Sequence, residues 1–396
     1  MKDRRDEPFS FESLRFEVKN GAGIAACVDW HNSASATGFA DTANKWPHPL
    51  KRLVWSLTGR CNLSCRHCAV RDMYDDIIEL DSSEIRIAVK DIIALGVPMV
   101  VLTGGEALLS PYLFEIARSL SESGITVTLI TNGTLIDGDM AKRIKGTGIS
   151  QVFVSIDDFA SQKQDDTVRG AGNYQKAVDG VKRLVEVNLP VYVITTVNAI
   201  NIRHLSDMRR AFTKLGASAW CLKPILPCGE AARNEELWLA EQDVNKIINF
   251  CYSALYTGGM PVIPSLTFEM HTEKGAEMLR FLYGEQTHTD VQGCDAGIFS
   301  MQIQPCGSLT GSCTMMPADA VCNLKDRSLI DAWQDKSSFK ELREYDPSST
   351  EGYCGKCDRR DTCKGGDINV RYAFGGINAE NKYCAYRNFK LYGIEI

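Results

Sequence analysis

The chain predicts an α/β fold: a partial (β/α)6 TIM-like barrel followed by a small, irregular, cysteine-rich C-terminal region. Three observations lead there. From about residue 52 to 224, strand-length apolar runs alternate with amphipathic helical patterns, the pattern of a parallel sheet with right-handed helical crossovers. There are six such units, too few to close an eight-stranded barrel. From residue 291 onward the periodicity fades into short runs, frequent glycines and dense cysteines, a composition that depends on bound metal for its fold.

Residues 1–50 form an N-terminal extension with a candidate β-hairpin. Leu14-Arg15-Phe16-Glu17-Val18 alternates, Asn20-Gly21 is a strong turn signal, and Gly23 to Trp30 can return. The barrel spans residues 51–225. Its strands are read at Leu53–Leu57, Met99–Thr103, Thr126–Thr131, Gln151–Ile156, Val191–Val197 and Ala219–Lys223, with helices such as Ser82–Leu95, Tyr112–Glu122 and Tyr174–Val187 between them. Chemistry in such barrels sits at the C-terminal ends of the strands. Thr58, Thr103, Asn132, Asp157 and Asn198 lie there. Residues 226–290 read as bridging helices and loops, and 291–396 as the cysteine-rich region.

Composition excludes several classes of function. A net charge of −6 with no basic face argues against a nucleic-acid partner. The longest apolar runs, such as Met99 to Leu102, are strand-sized, so no membrane span is expected. The charged start MKDRRDEPFS has no apolar stretch behind it, which implies a cytoplasmic protein. The 15 cysteines are grouped: three at 61–68, four between 294 and 322, four between 354 and 384. Grouped cysteines in an intracellular chain read as metal ligands rather than disulfides. Cys27, Cys221 and Cys251 read as buried apolar residues. Cys228, after the sixth strand, either faces the active site or is buried.

Cys61-x3-Cys65-x2-Cys68 follows directly on the first strand. Three thiolates can hold a [4Fe–4S] cluster while leaving one iron open, and an open position is what a catalytic metal site needs. A zinc knuckle using His67 is the alternative on spacing. In this setting the sequence resembles the radical S-adenosylmethionine (SAM) superfamily over roughly residues 50 to 225. The resemblance implies a cluster on Cys61, Cys65 and Cys68, SAM chelated to the open iron, and reductive cleavage to a 5′-deoxyadenosyl radical. It implies an external electron donor such as flavodoxin or ferredoxin. It also assigns SAM contacts: Gly104-Gly105-Glu106 for the amino group, Asn132 in an Asn-Gly turn, Ser155 and Asp157 near the ribose, Arg169 for the carboxylate, and Asn198 near the nucleoside.

Cys354-x2-Cys357-x5-Cys363-x20-Cys384 supplies four thiolates, enough to close a second cluster; zinc is the alternative on spacing alone. With Cys294 and Cys313 upstream, residues 291 to 390 resemble the SPASM extension of radical SAM enzymes. That family usually has a cysteine where Asp367 stands. One or two auxiliary [4Fe–4S] clusters are therefore expected, the second resting on Cys294, Cys313 and Asp367, with Cys306 or Cys322 as candidates to complete it. Relatives with this extension imply oxidative maturation of a ribosomally made precursor peptide, by a thioether or carbon–carbon cross-link. The same C-terminal spacing resembles heme d1 biosynthesis enzymes, which keeps a tetrapyrrole or redox-cofactor substrate open. A non-catalytic iron–sulfur electron carrier is the reading from another class, and the Gly104-Gly105-Glu106 and Arg169 elements argue against it.

Overall fold

A computed structural model describes residues 46–159, 163–265, 268, 272–283 and 293–394. The candidate N-terminal hairpin and Cys27 lie outside the described residues. Six parallel strands form the centre of one sheet: β1 (Arg52–Ser56), β2 (Met99–Thr103), β3 (Thr126–Thr131), β4 (Gln151–Ser155), β5 (Val191–Val197) and β6 (Ala219–Pro224). They pair in sequence order, each with the next, in parallel. Each crossover carries helix, as the alternating pattern requires: α1 (Ser82–Ala94), α2 (Leu113–Glu122), α3 (Gly138–Lys145), α4 (Lys163–Arg169), α5 (Asn173–Glu186) and α6 (Leu205–Leu215).

The sheet extends past these six strands on both sides. β7 (Val262–Pro264) pairs with β6, and β8 (Ser300–Ile303) pairs with β1, both in parallel. Two short antiparallel strands, β9 (Ser308–Thr310) and β10 (Cys322–Asn323), complete that edge. The sequence pattern predicts bridging helices and loops for residues 226–290 and short runs from residue 291 onward, and adds no strand from either to the sheet. At two to four residues each, the strands are too short to show a period.

Local sequence explains the helices. Asp81 caps α1: its carboxylate accepts from the amides of Ser83 at 2.7 Å and Glu84 at 2.9 Å, and Glu84 accepts from the Asp81 amide at 2.8 Å. This reciprocal box fixes the start of α1. Ile85, Ala88, Val89 and Ile92 then recur on one face and are buried. Burial of each large apolar side chain stabilises by about 1.5–3 kcal/mol.

Strand register separates two faces. Leu53, Trp55, Val100, Leu102, Val127, Leu129, Val152, Val154, Val191 and Val193 are buried under the helices. Trp220 settles which face this is, because its ring meets Phe212 of α6 at 5.4 Å and Phe250 of α7 (Asp243–Tyr256) at 5.9 Å. The alternate residues line the barrel's inner face. Several are only half-buried there, including Val54, Val101, Ile130, Ser155, Thr196 and Cys221. That face is also polar: Gln151 Nε2 donates to Thr128 Oγ1 at 2.9 Å, and Gln302 Nε2 to Ser56 Oγ at 3.1 Å. Cys251 is fully buried as expected, whereas Cys221 faces this lumen.

The C-terminal region holds α8 (Glu273–Tyr283), α9 (Leu329–Gln334), α10 (Lys340–Arg343), α11 (Arg360–Cys363), α12 (Ile368–Ala373) and α13 (Ala385–Tyr392). Arg387 of α13 anchors it to the segment before α7. The guanidinium donates to Glu241 Oε2 at 2.7 Å and to Glu380 Oε2 at 3.0 Å.

Candidate active site

Cys61, Cys65 and Cys68 lie on the loop that leaves β1, at the C-terminal end of the sheet. Two loops grip each other here. The Gly105 amide donates to Thr58 O at 2.8 Å and the Glu106 amide to Arg60 O at 2.8 Å. The contact needs glycine: a Cβ on Gly105 would stand 2.5 Å from Arg60 O, and one on Gly104, at φ +153°, 2.6 Å from Thr58 O. The side chain of Asn132 braces the same loop, donating to Asn62 Oδ1 at 2.8 Å with Cys61 Sγ 4.0 Å away.

Cys68 adds to the rise of the Cys61 thiol, and Cys68 and Cys61 both add to that of Cys65. Burial raises Cys61, and it pushes Cys65 up to about 12 despite the pull of Arg169. A buried thiolate is costly without a cation beside it, so this loop suits bound iron. Among the described residues no three metal-binding side chains converge as around a single ion. Zinc through His67 has no support in the geometry. The His67 ring turns away, with Nε2 3.3 Å from Asp157 Oδ2. A cuboidal cluster, whose thiolates sit on different irons, suits the looser set. The Leu63 amide donates to Cys61 Sγ at 3.4 Å, the kind of bond that tunes a cluster thiolate.

Of the expected SAM residues, Gly105, Glu106, Asn132 and Asp157 contact this loop, Ser155 and Asn198 stand at the ends of β4 and β5, and several are engaged with protein. Glu106 is buried. Its Oε1 accepts from the Leu108 amide at 3.0 Å and Thr131 Oγ1 at 2.7 Å, and its Oε2 from the Asn132 amide at 2.7 Å. It thereby ties β2 to β3, and Oε2 keeps capacity for one further donor. Asn198 accepts from the amides of Ile200 at 2.9 Å and Asn201 at 3.1 Å, closing the turn after β5. Ser155 faces the lumen, and its hydroxyl makes no hydrogen bond among the described residues. Asp157 sits in a buried knot. Arg169 Nε donates to Oδ2 at 2.6 Å, His67 meets the same oxygen, and the Thr196 amide donates to Oδ1 at 2.7 Å. Burial lowers the His67 pKa to about 4, which keeps the ring neutral.

This knot joins the cysteine loop to β4, α4 and β5, and sequence spacing carries no sign of it. Asp157→Ala removes the buried carboxylate that Arg169, His67 and the Thr196 amide meet and should cost about 3–5 kcal/mol. A lower urea midpoint for the variant, measured beside wild type, checks this.

In the C-terminal region Asp367 lies with Cys294 and Cys313. Burial raises both thiols, and the Asp367 charge adds to the rise in each. Asn369 links them: Cys313 Sγ donates to Asn369 Oδ1 at 3.0 Å, and the Asn369 amide and Nδ2 donate to Asp367 Oδ1 at 2.7 and 2.8 Å. Asp367 is also the N-cap of α12. Of the two further candidate cysteines, Cys322 stands on β10 in the field of Arg327, Asp326 and Asp335. The Cys306 thiol approaches Ser308 Oγ at 3.3 Å. Cys354, Cys357 and Cys363 follow one another through a 3-10 turn and α11, and Cys384 caps α13. The Arg359 amide donates to Cys357 Sγ and the Arg387 amide to Cys384 Sγ, each at 3.4 Å.

Sequence reasoning does not single out Tyr74 and leaves Cys228 open between the site and the core. Tyr74 is buried and Cys228 half-buried, and each feels cysteines of both groups. Cys228, pushed up to about 12 by burial, feels Cys313 and Cys68. The Tyr74 hydroxyl is raised by burial and by Cys313, Cys306 and Cys68. The loop after Cys228 rests on the first group, the Ala231 amide donating to Cys68 O at 3.3 Å.

Residues 55–212 match the radical SAM superfamily. An AdoMet-dependent heme synthase of Methanosarcina barkeri is 27% identical over 345 residues, covering 85% of this chain and 96% of the relative. The mycofactocin maturase MftC of Mycobacterium tuberculosis is 26% identical over 332 residues, covering 82% and 79%. Streptococcus suis SuiB, solved with its precursor peptide SuiA, shares the fold at a TM-score of 0.67 and 15% identity, over 96% of this chain and 82% of that one. No helix among the described residues is long and apolar enough to cross a membrane.

Proposed function

The chain belongs to the radical SAM superfamily through residues 55–212, and from that premise we propose that it oxidatively modifies a ribosomally synthesised peptide, closing a thioether or carbon–carbon cross-link. The observation that carries the oxidative reading is the second cysteine group, Cys294 and Cys313 with Asp367, set beside Tyr74 and Cys228. A [4Fe–4S] cluster on Cys61, Cys65 and Cys68 would supply hydrogen abstraction through SAM, and auxiliary clusters on Cys354, Cys357, Cys363 and Cys384 and on Cys294, Cys313 and Asp367 would supply an electron acceptor. The protein's own contribution is positional. The Gly104-Gly105 contact and Asn132 hold the first cysteine loop against β2 and β3. Asp157 holds it against α4 through Arg169, and Ser155 offers a hydroxyl to the lumen. The maturase named in the mycofactocin relative and the precursor peptide bound in the SuiB structure support a peptide.

A second reading, a tetrapyrrole substrate, is favoured by one observation: the heme synthase relative is matched over 96% of its length. Incubating reconstituted protein with SAM, a reductant, and either any small peptide encoded beside its gene or an iron porphyrin separates the two. The expected result is a peptide that loses two hydrogens in a SAM-dependent manner. An unchanged peptide alongside a modified porphyrin would establish the second reading.

A further inference from the structure

Glu79 is a carboxylate beside the first cysteine loop that no SAM or cluster assignment uses. It is half-buried, in the extended segment that leads into the Asp81 cap of α1. One of its oxygens, Oε1, accepts two hydrogen bonds from the start of the loop: from Thr58 Oγ1 at 2.6 Å and from the Gly59 amide at 2.9 Å. Cys61 follows Gly59 by two residues. Thr58 is fully buried and passes the constraint on. Its hydroxyl oxygen accepts from the Arg60 amide at 3.1 Å and from Arg60 Nε at 3.3 Å, and Arg60 Nη2 donates to Leu109 O at 3.1 Å. With one donor and two acceptor sites in use, that hydroxyl is at full capacity. The backbone entering Cys61 is thus set by Glu79 on one side and by the turn after β2 on the other.

The segment that carries Glu79 is in turn fastened to the C-terminal region. The Leu80 amide donates to Pro305 O, just past β8, at 2.9 Å. The buried Leu80 side chain lies against Gly307, where a Cβ would stand 2.7 Å from Leu80 Cδ2. Lys325 Nζ, just past β10, donates to Ile78 O at 3.4 Å. Both chain neighbours of Glu79 therefore contact the C-terminal region, while its own carboxylate holds the first cysteine loop.

We infer that Glu79 is a positioning residue for SAM cleavage: it fixes the backbone that enters Cys61, and the C-terminal region holds it in place to do so. Carboxylate acceptors make the shorter and stronger hydrogen bonds. Loss of a group that orients metal ligands costs about 10–100-fold in affinity or activity. Both bonds fall on one oxygen, so the role belongs to an acceptor at that reach and not to the charge. The inference rests on the assignment of the SAM cluster to Cys61, Cys65 and Cys68, and it holds for a peptide or a tetrapyrrole substrate alike.

The test uses reconstituted wild type, Glu79→Gln, Glu79→Ala, Glu79→Asp and Thr58→Val, without peptide or porphyrin. The readouts are 5′-deoxyadenosine formation, KM for SAM, iron content, and the electron paramagnetic resonance spectrum of the reduced cluster with and without SAM. Glu79→Ala should keep its iron, since the three thiols remain, yet form 5′-deoxyadenosine about ten-fold or more slowly. Its spectral response to SAM should change. Glu79→Asp, one methylene too short to reach both donors, should behave like Glu79→Ala. Glu79→Gln keeps one carbonyl oxygen at the same reach and should recover most of the rate and the wild-type spectrum. Thr58→Val should share the altered spectrum, and combining it with Glu79→Ala should add little, because both break one network. A Glu79→Gln variant as slow as Glu79→Ala would overturn the inference, since the charge would then be what matters. So would a Glu79→Ala variant with the wild-type rate and spectrum, or one whose sole defect is a lower urea midpoint. Should Glu79→Ala fail to fold, a wild-type spectrum in Thr58→Val overturns it instead. A wild type that does not cleave SAM at all would remove the cluster assignment and the inference with it.

Discussion

Replacing Cys61, Cys65 and Cys68 together by alanine should reduce 5′-deoxyadenosine formation to background and remove about four irons per chain, the content of one [4Fe–4S] cluster. The expectation follows from the position of the three thiols. They share one loop at the C-terminal end of β1, and the Gly104-Gly105 contact and Asn132 hold that loop against the next two strands. No other group of cysteines lies on that loop. The irons that remain in the triple variant belong to the C-terminal region. About eight would match two clusters there and about four would match one. Retained 5′-deoxyadenosine production in a reduced, reconstituted triple variant would refute the assignment.

The second large effect concerns Asp367. As a ligand it is a harder donor than thiolate and suits iron less well, so a cluster that includes it should be labile at that position. Asp367 also caps α12, and the two roles can be separated. Asparagine is a good N-cap and keeps that role, whereas alanine loses it at about 1 kcal/mol. If Asp367 holds iron, Asp367→Asn and Asp367→Ala should both lower iron content or change the spectrum. Product formation should collapse in both, while SAM cleavage without substrate persists. If Asp367 is only a cap, Asp367→Asn should match wild type in iron, spectrum and product, and only Asp367→Ala should lose stability. The Cys313–Asn369–Asp367 chain of hydrogen bonds ties the carboxylate to one candidate thiol and so favours the first outcome.

The sequence by itself determined the barrel and the region of its chemistry. Strand runs such as Met99–Thr103 and Val191–Val197 are continuous and apolar because they are buried in a parallel sheet. The cysteine spacings and Gly104-Gly105 are local, so they remain visible in one dimension. Only the tertiary structure decided what depends on partners far apart in the chain. β8 joins β1 from the far end of the sequence, and a four-residue strand carries too little pattern to announce that pairing. The bonds of Asp157 to Arg169 and to His67 of the cysteine loop are not legible in the sequence, because a carboxylate's neighbours are set by packing and not by spacing. Asp367 meets Cys313 through Asn369 for the same reason.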